Sequence, residues 1–122
     1  MKLVRKEEAQ VRRGTTFTGE TTLAELLVPQ APNGVRVTVV EFDDGSVTHW
    51  HTHPGEQVLY VLEGECRVGN ATEQFTAQAG DVVYTPPNEK HWHGAAPGTK
   101  MVHISITTGG APQWFDAPML EK

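Results

Sequence analysis

The sequence has a single cysteine, Cys66, among 122 residues. No disulfide can therefore form within the chain, and the fold must be stabilised by its core, a bound metal or a partner subunit. We interpret Cys66 as a small buried apolar residue. A chain of this length is expected to form one domain around one core, over residues 1–122.

Two other absences limit the function. No apolar run approaches the roughly 20 residues that a membrane helix needs. The first residues also lack the apolar segment of a secretion signal, so we expect a cytoplasmic protein with no membrane partner. Lysine and arginine total 10 against 15 acidic residues, and the basic residues near the N terminus are scattered. A nucleic-acid partner would require a clustered basic face, so none is expected.

Long helical patterns are missing after residue 30. Short segments rich in β-branched residues alternate instead with Gly, Pro and Asn, which predicts an all-β sandwich or closed barrel. Residues 20–28 fit either a helix or a strand. Residues 109–122 are predicted to be a tail that packs Trp114 and Phe115 on the outside of the barrel. The predicted strands cover residues 35–42, 47–53, 57–63, 66–68, 73–77, 81–85, 90–93 and 99–107.

Side chains alternate between the two faces of a strand. This parity places Leu59 and Val61 inside the barrel and Tyr60 and Leu62 outside. The last strand has a polar and an apolar face, and we expect the polar face to point inward. Its apolar face would then pack on a second sheet or a partner subunit, through Val102, Ile104 and Ile106.

The six histidines all fall between residues 49 and 103, and four of them form two His-x-His pairs. His51 and His53 would project from the same face of a strand, with Gln57 following a Pro-Gly turn. His91 and His93 form the second pair. We predict that the two segments meet inside the barrel and hold one metal ion.

These segments resemble the two motifs of the small single-domain cupins. The first motif, Gly-x5-His-x-His-x3,4-Glu-x6-Gly, is matched except that Gln57 occupies the position of Glu. The second, Gly-x5-Pro-x-Gly-x2-His-x3-Asn, is matched by Gly80, Pro86 and His91, whereas Asn88 and Ala95 depart from it. The resemblance implies a double-stranded β-helix, or jelly-roll barrel, with the metal-site core at about residues 35–107.

By this resemblance the metal ligands are His51, His53, Gln57 and His91. Three imidazoles and an amide suit Mn, Fe, Ni, Cu or Zn, with Mn as the first choice, rather than Mg or Ca. An amide in place of a carboxylate leaves one more positive charge on the ion and makes it a stronger Lewis acid. Glu56 is an alternative third ligand if the turn shifts the register, but the spacing to Gly64 favours Gln57.

Three histidines remain for other roles. His93 is expected on the same side as His91 but beyond the metal, and His103 on a neighbouring strand. Either is a candidate general acid or base, with an unperturbed pKa of about 6.5, acting on a small-molecule substrate. The alternative for both is a buried, hydrogen-bonded histidine. His49 is expected to pack or to orient a ligand.

The segments HWHTHPGEQ, GDVVYTPPNEKHWHGAAPGTKMVH and QWF resemble the bacterial cupins that include manganese-dependent hydroxynitrile lyases. That resemblance implies conversion of a cyanohydrin into an aldehyde and hydrogen cyanide, or the reverse. Two alternatives are an oxygen-dependent dioxygenase that cleaves carbon-carbon bonds and a non-catalytic module that binds a small ligand or a metal. Resemblance to cupins of this size, and the two apolar faces of strand 35–42, also lead us to expect a homodimer.

Overall fold

The computed structural model describes residues 1–120, which form antiparallel β-strands and one short 3-10 helix, Lys6–Glu8. This confirms the all-β prediction. Within the described range, no helix is long and apolar enough to cross a membrane. The strands are β1 (Gln10–Arg13), β2 (Thr21–Leu27), β3 (Arg36–Phe42), β4 (His51–Thr52), β5 (Gln57–Gly69), β6 (Gln74–Gln78), β7 (Val82–Thr85), β8 (Trp92–Ala95), β9 (Met101–Thr107) and β10 (Gln113–Trp114).

Strand β5 is the centre of the architecture. The main sheet has the order β1-β2-β3-β9-β5-β6, and β7 and β8 also pair with β5. The first half of β5 pairs with β7 and β9, and its second half pairs with β6 and β8. A separate two-stranded sheet joins β10 to β4. One long strand thus belongs to both walls of the barrel, so the segments that pair with its two halves are brought face to face.

Gly64 explains why β5 is continuous where two strands, 57–63 and 66–68, were predicted. Its φ of +76° is unfavourable for residues with a Cβ, and an added Cβ would lie 1.9 Å from the carbonyl oxygen of Lys100. The pairing of β5 with β9 shifts register between Val61 and Glu63. A bulge bends a strand without ending it, so the glycine marks a bend and not a turn.

The predicted parity of β5 is confirmed. Leu59 and Val61 are 1% and 0% exposed, whereas Tyr60 and Leu62 are each 40% exposed. On β9 the polar face does point inward, and the apolar face is half-buried on the outside of the sheet. The inward apolar residues form one core cluster: Val40, Phe42, Leu59, Val61, Cys66, Val68, Ala77, Val83, Ala95 and Met101.

Other predictions of secondary structure need revision. Residues 20–28 contain a strand, β2, which pairs with β1 and β3. A strand over residues 47–53 is wrong, because only β4 forms there and Val47 and Thr48 make isolated bridges to Gly94 and Phe17. The predicted strand 90–93 begins at Trp92 instead. These segments cross between sheets, so local pattern alone does not define their ends.

The tail differs from its prediction at Trp114. Strand β10 pairs with β4 and sets Trp114 opposite His51. The indole lies on the imidazole of His51, with ring centroids 4.5 Å apart. Trp114 therefore packs on a predicted metal ligand and not on the outer wall. Residues 121–122 of the predicted tail lie outside the described residues.

Candidate metal centre

His51 and His91 are brought together by a backbone bridge between the two His-x-His segments. The amide of each residue donates to the carbonyl of the other, at 2.9 and 3.0 Å. Residues that exchange both hydrogen bonds across an antiparallel pair project side chains to the same face. The two ring centroids accordingly lie 4.2 Å apart.

Backbone carbonyls orient both of these imidazoles. His51 Nδ1 donates to the carbonyl of His49 at 2.9 Å, and His91 Nδ1 donates to the carbonyl of Glu89 at 2.8 Å. Since each Nδ1 carries the proton, each Nε2 has a free lone pair, as metal-binding histidines require. The orienting role predicted for His49 is thus performed by its carbonyl.

His93 belongs to the same group of donors. Ring nitrogens of His51, His91 and His93 all lie within 4.8 Å of one another, and the three residues are buried. The three rings converge from β4, from the bridge residue His91 and from β8, whereas we expected His93 to lie beyond the metal position. Its Nδ1 lies 3.1 Å from Nε2 of His103.

His53 and Gln57 border this histidine triad. The His53 ring centroid is 4.9 Å from that of His51, and both ring nitrogens of His53 are buried without a hydrogen-bond partner. Gln57 Nε2 donates to Ser105 Oγ at 3.0 Å, which turns Oε1 toward His91 Nε2 at 2.9 Å. All four predicted ligands are therefore brought together in the barrel.

Glu56, the alternative ligand, points away from this site. It is exposed, and its carboxylate accepts a hydrogen bond from the Tyr84 hydroxyl on the outer surface. Gln57 is 2% exposed and faces the histidines. The register of β5 thus supports Gln57 rather than Glu56 as the candidate ligand, in agreement with the spacing to Gly64.

Burial keeps the clustered imidazoles neutral. Desolvation, followed by the neighbouring histidines, holds the pKa of His51 and of His93 well below the ordinary value of 6.5. Desolvation also lowers the pKa of His53 and of His103 to about 4. Neutral imidazole is the form that binds metals, so the rings are in the required state at neutral pH.

These residues fit a divalent metal ion. With its proton on Nδ1, His91 presents a lone pair to the lone pairs of Gln57 Oε1 only 2.9 Å away, and such a contact is stabilised by a cation. Burial disfavours a second proton on His91, whose pKa it lowers. The two unpartnered nitrogens of His53 are a further buried polar group in need of a partner. Nitrogen and amide oxygen donors suit transition metals.

A cavity of about 380 Å³ opens onto the histidines. Its lining includes His51, His53, Gln57, His93 and His103. The aromatic and aliphatic part of the lining is Phe17, Leu23, Val40, Pro112 and Trp114.

Sequence reasoning missed the contribution of Phe17 and Trp114 to this part of the lining. The only available signal was the QWF segment, and the pairing of β10 with β4 that places Trp114 there is not apparent from local pattern. The cavity is the expected place for a small molecule, because it combines apolar side chains with convergent polar groups.

Comparisons with known proteins agree with this geometry. The chain is 42% identical to (R)-mandelonitrile lyase from Granulicella tundricola, over 82% of this chain and 79% of that protein. A crystal structure of a cupin-like protein from Thermotoga maritima superposes with a TM-score of 0.81 at 37% identity, covering 86% of this chain and 84% of that one. A predicted oxalate decarboxylase from the same organism gives 0.77 at 26% identity, covering 89% and 100%.

The family profile described as "Cupin domain" matches residues 38–107, which is more than half of the chain. The matched region contains most of β3, all of β4 to β9 and all six histidines. The chain therefore belongs to the cupin domain family.

Proposed function

We propose that this cupin is a metal-dependent lyase of the hydroxynitrile lyase type. The observation that carries the proposal is the buried group of His51, His91 and His93, of which His51 and His93 also line the cavity. Its 42% identity to a mandelonitrile lyase supports the same reaction class. The substrate would be a cyanohydrin, or an aldehyde with hydrogen cyanide in the reverse direction.

We assign His51, His53, Gln57 and His91 as the residues that hold the ion, with manganese as the first choice. A divalent ion bound there would supply Lewis acidity toward the negative charge that develops in the reaction. The carbonyls behind His51 and His91 fix the orientation of both rings. Ser105 fixes the amide of Gln57 in the same way.

His103 and His93 handle the proton in this mechanism. Their rings share one hydrogen bond of 3.1 Å, so a proton accepted by one is stabilised by the other. A ring nitrogen of this pair accepts the hydroxyl proton of the substrate. As the electrons of that oxygen form the carbonyl, the C–CN bond breaks and cyanide leaves with the bonding electrons. The pair then returns the proton to cyanide to give hydrogen cyanide. His103 is the first choice as base because His93 lies within the donor group.

The test is metal analysis followed by assays with and without oxygen. The lyase predicts an ion bound to the chain and turnover of mandelonitrile without oxygen. Oxygen consumption with Fe or Mn bound would instead favour the dioxygenase. A tightly held ion with neither activity would favour a binding module.

His103→Ala tests the assignment of the base. We expect the variant to retain its metal and to lose at least about 100-fold in turnover, the usual contribution of general acid-base catalysis. Metal content measured on the same sample is the control, because it separates loss of the base from loss of the ion. Full activity in a metal-loaded variant would transfer the role to His93.

We also propose a homodimer through the outer face of β3, β5 and β9. Two rows of cross-strand neighbours on this face are apolar. Val39 and Tyr60 lie opposite Ile104, and Val37 and Val58 lie opposite Ile106. Such a half-exposed apolar stripe is typical of association surfaces. Light scattering tests this proposal, and a monomer at assay concentration would contradict it.

A further inference from the structure

The charged side chains that line the cavity are opposite in sign to the net charge of the chain. The protein carries 15 acidic and 10 basic residues other than histidine. Among the described residues that line the cavity, however, none is Asp or Glu, and the charged members are Arg12 and Arg36. A cavity that excludes carboxylates in an acidic protein is arranged to accept negative charge.

The register of the sheet places Arg12 on the inner face. Arg12 pairs with Leu23, Leu23 with Val40, and Val40 with His103. Directly opposed residues of antiparallel strands share a face, so these four side chains form one row across the barrel wall. The row begins at a guanidinium on the edge strand β1 and ends at the proposed base.

The two arginines differ in how they are compensated. Arg36 forms an ion pair with Glu25. Arg12 makes no ion pair or side-chain hydrogen bond with any partner among residues 1–120. Arg12 is therefore an exposed cation in the cavity lining, and its donors have no side-chain partner among the described residues.

Apolar side chains separate this cation from the histidines. Leu23 and Val40 lie between Arg12 and His103 in the row, and Phe17 also lines the space. Three strand spacings separate Arg12 from His103, which is about 14 Å along the sheet. A molecule bound along this row would thus have its reacting group near His103, an apolar middle and a charged group near Arg12.

We propose that the natural substrate carries a carboxylate remote from its reacting carbon, and that Arg12 binds this group. The inference rests on the proposed lyase function, whose substrate class it narrows to aldehydes or cyanohydrins with an acidic tail. A single guanidinium presents two parallel donors that match a carboxylate. Arg12 is therefore a specificity-determining residue at the rim and takes no part in the proton transfer.

Binding of unreactive ligands to the manganese-loaded protein tests the inference. The probes are 4-(hydroxymethyl)benzoate, its neutral amide and the corresponding phenyl phosphate, measured by calorimetry. We expect the carboxylate to bind roughly two- to fivefold more tightly than the amide, as for an exposed ion pair. The preference should decline with added salt. Tighter binding of the phosphate than of the carboxylate would overturn the assignment to a carboxylate.

Arg12→Gln and Arg13→Gln form a matched pair of variants. They remove the same charge from adjacent positions, but Arg13 does not line the cavity and pairs with Glu20 on the surface. The carboxylate preference should disappear in Arg12→Gln and persist in Arg13→Gln. Equal binding of carboxylate and amide by the wild-type protein would overturn the inference, as would equal loss of the preference in both variants.

Turnover separates this inference from the lyase itself. Addition of hydrogen cyanide to 4-carboxybenzaldehyde and to 4-formylbenzamide should differ in KM by the same roughly two- to fivefold factor. Mandelonitrile turnover without any carboxylate preference would refute the role of Arg12 and leave the lyase intact. An Arg12-dependent preference in binding without turnover of any cyanohydrin would refute the lyase and leave the anion site.

Discussion

The two ends of the barrel interior are equally buried but chemically opposite. One end is the core cluster of apolar residues around Leu59, Val61 and Met101. The other end holds His51, His103 and their neighbours, which are as inaccessible as the apolar residues. The contrast teaches that burial alone does not identify a core, because only the first end gains free energy by leaving water.

The polar end destabilises the folded state when no ion is bound. Burial lowers the pKa values of its imidazoles, and both ring nitrogens of His53 and Nδ1 of His103 have no hydrogen-bond partner. Unpartnered buried polar atoms destabilise the folded state. The apolar end must therefore supply most of the stability of the metal-free protein, and the following variants test that division.

Leu59→Ala should produce the largest loss of stability. Leu59 is a fully buried member of the apolar end, and truncation removes its contacts and leaves a cavity. We expect the free energy of unfolding to fall by about 2–5 kcal/mol, with or without metal. Urea denaturation measures the change. A loss that vanished after metal loading would mean that the two ends are not separate.

Acidification should lower the stability of the fold through the polar end, by less than Leu59→Ala and by more than Tyr84→Phe. The folded-state pKa of His53 and of His103 is about 4, against 6.5 when unfolded. Their contribution to the free energy of unfolding is thus fully present above pH 6.5. It is lost as the pH falls toward 4, because the unfolded chain binds protons at a higher pH than the folded chain does. Between about pH 7.5 and about pH 5.5, each group should reduce the stability of chelator-treated protein by about 1 kcal/mol.

The control for this pH dependence is His53→Gln, which removes one titrating group. Its stability should fall less steeply with acidification than that of the wild-type protein. Parallel pH profiles for the two proteins would contradict the assignment of the lowered pKa to His53.

Tyr84→Phe should have the smallest effect. Its hydroxyl donates to Glu56 on the exposed outer face, where hydrogen-bonded and ionic contacts contribute little. We expect no resolvable shift of the denaturation midpoint and no change in metal content. A change in metal content would show that the register of Glu56 affects the site after all.

Much of the site could be predicted because its signals are local. The His-x-His spacing predicted that His51 and His53 share a side of the chain. The Pro-Gly turn and the motif spacing to Gly64 then predicted that Gln57 returns to the same point. Strand parity correctly separated Leu59 and Val61 from the outer surface.

The parts that were missed depend on pairing between distant segments. Trp114 packs on His51 only because β10 pairs with β4, some sixty residues earlier in the chain. His93 joins the donor group because the bridge between His51 and His91 fixes how closely β8 approaches. Neither pairing has a signature within a short window of sequence.

The metal content of the wild-type protein and of His51→Ala tests the central claim most directly. The account predicts one divalent ion per wild-type chain. It predicts at least about 100-fold weaker binding in the variant, because a ligand contributes more than the outer-sphere partners whose loss costs 10–100-fold. The melting temperature of the loaded protein should fall with the lost ion. Equal metal content in the two proteins would contradict a metal centre at these histidines.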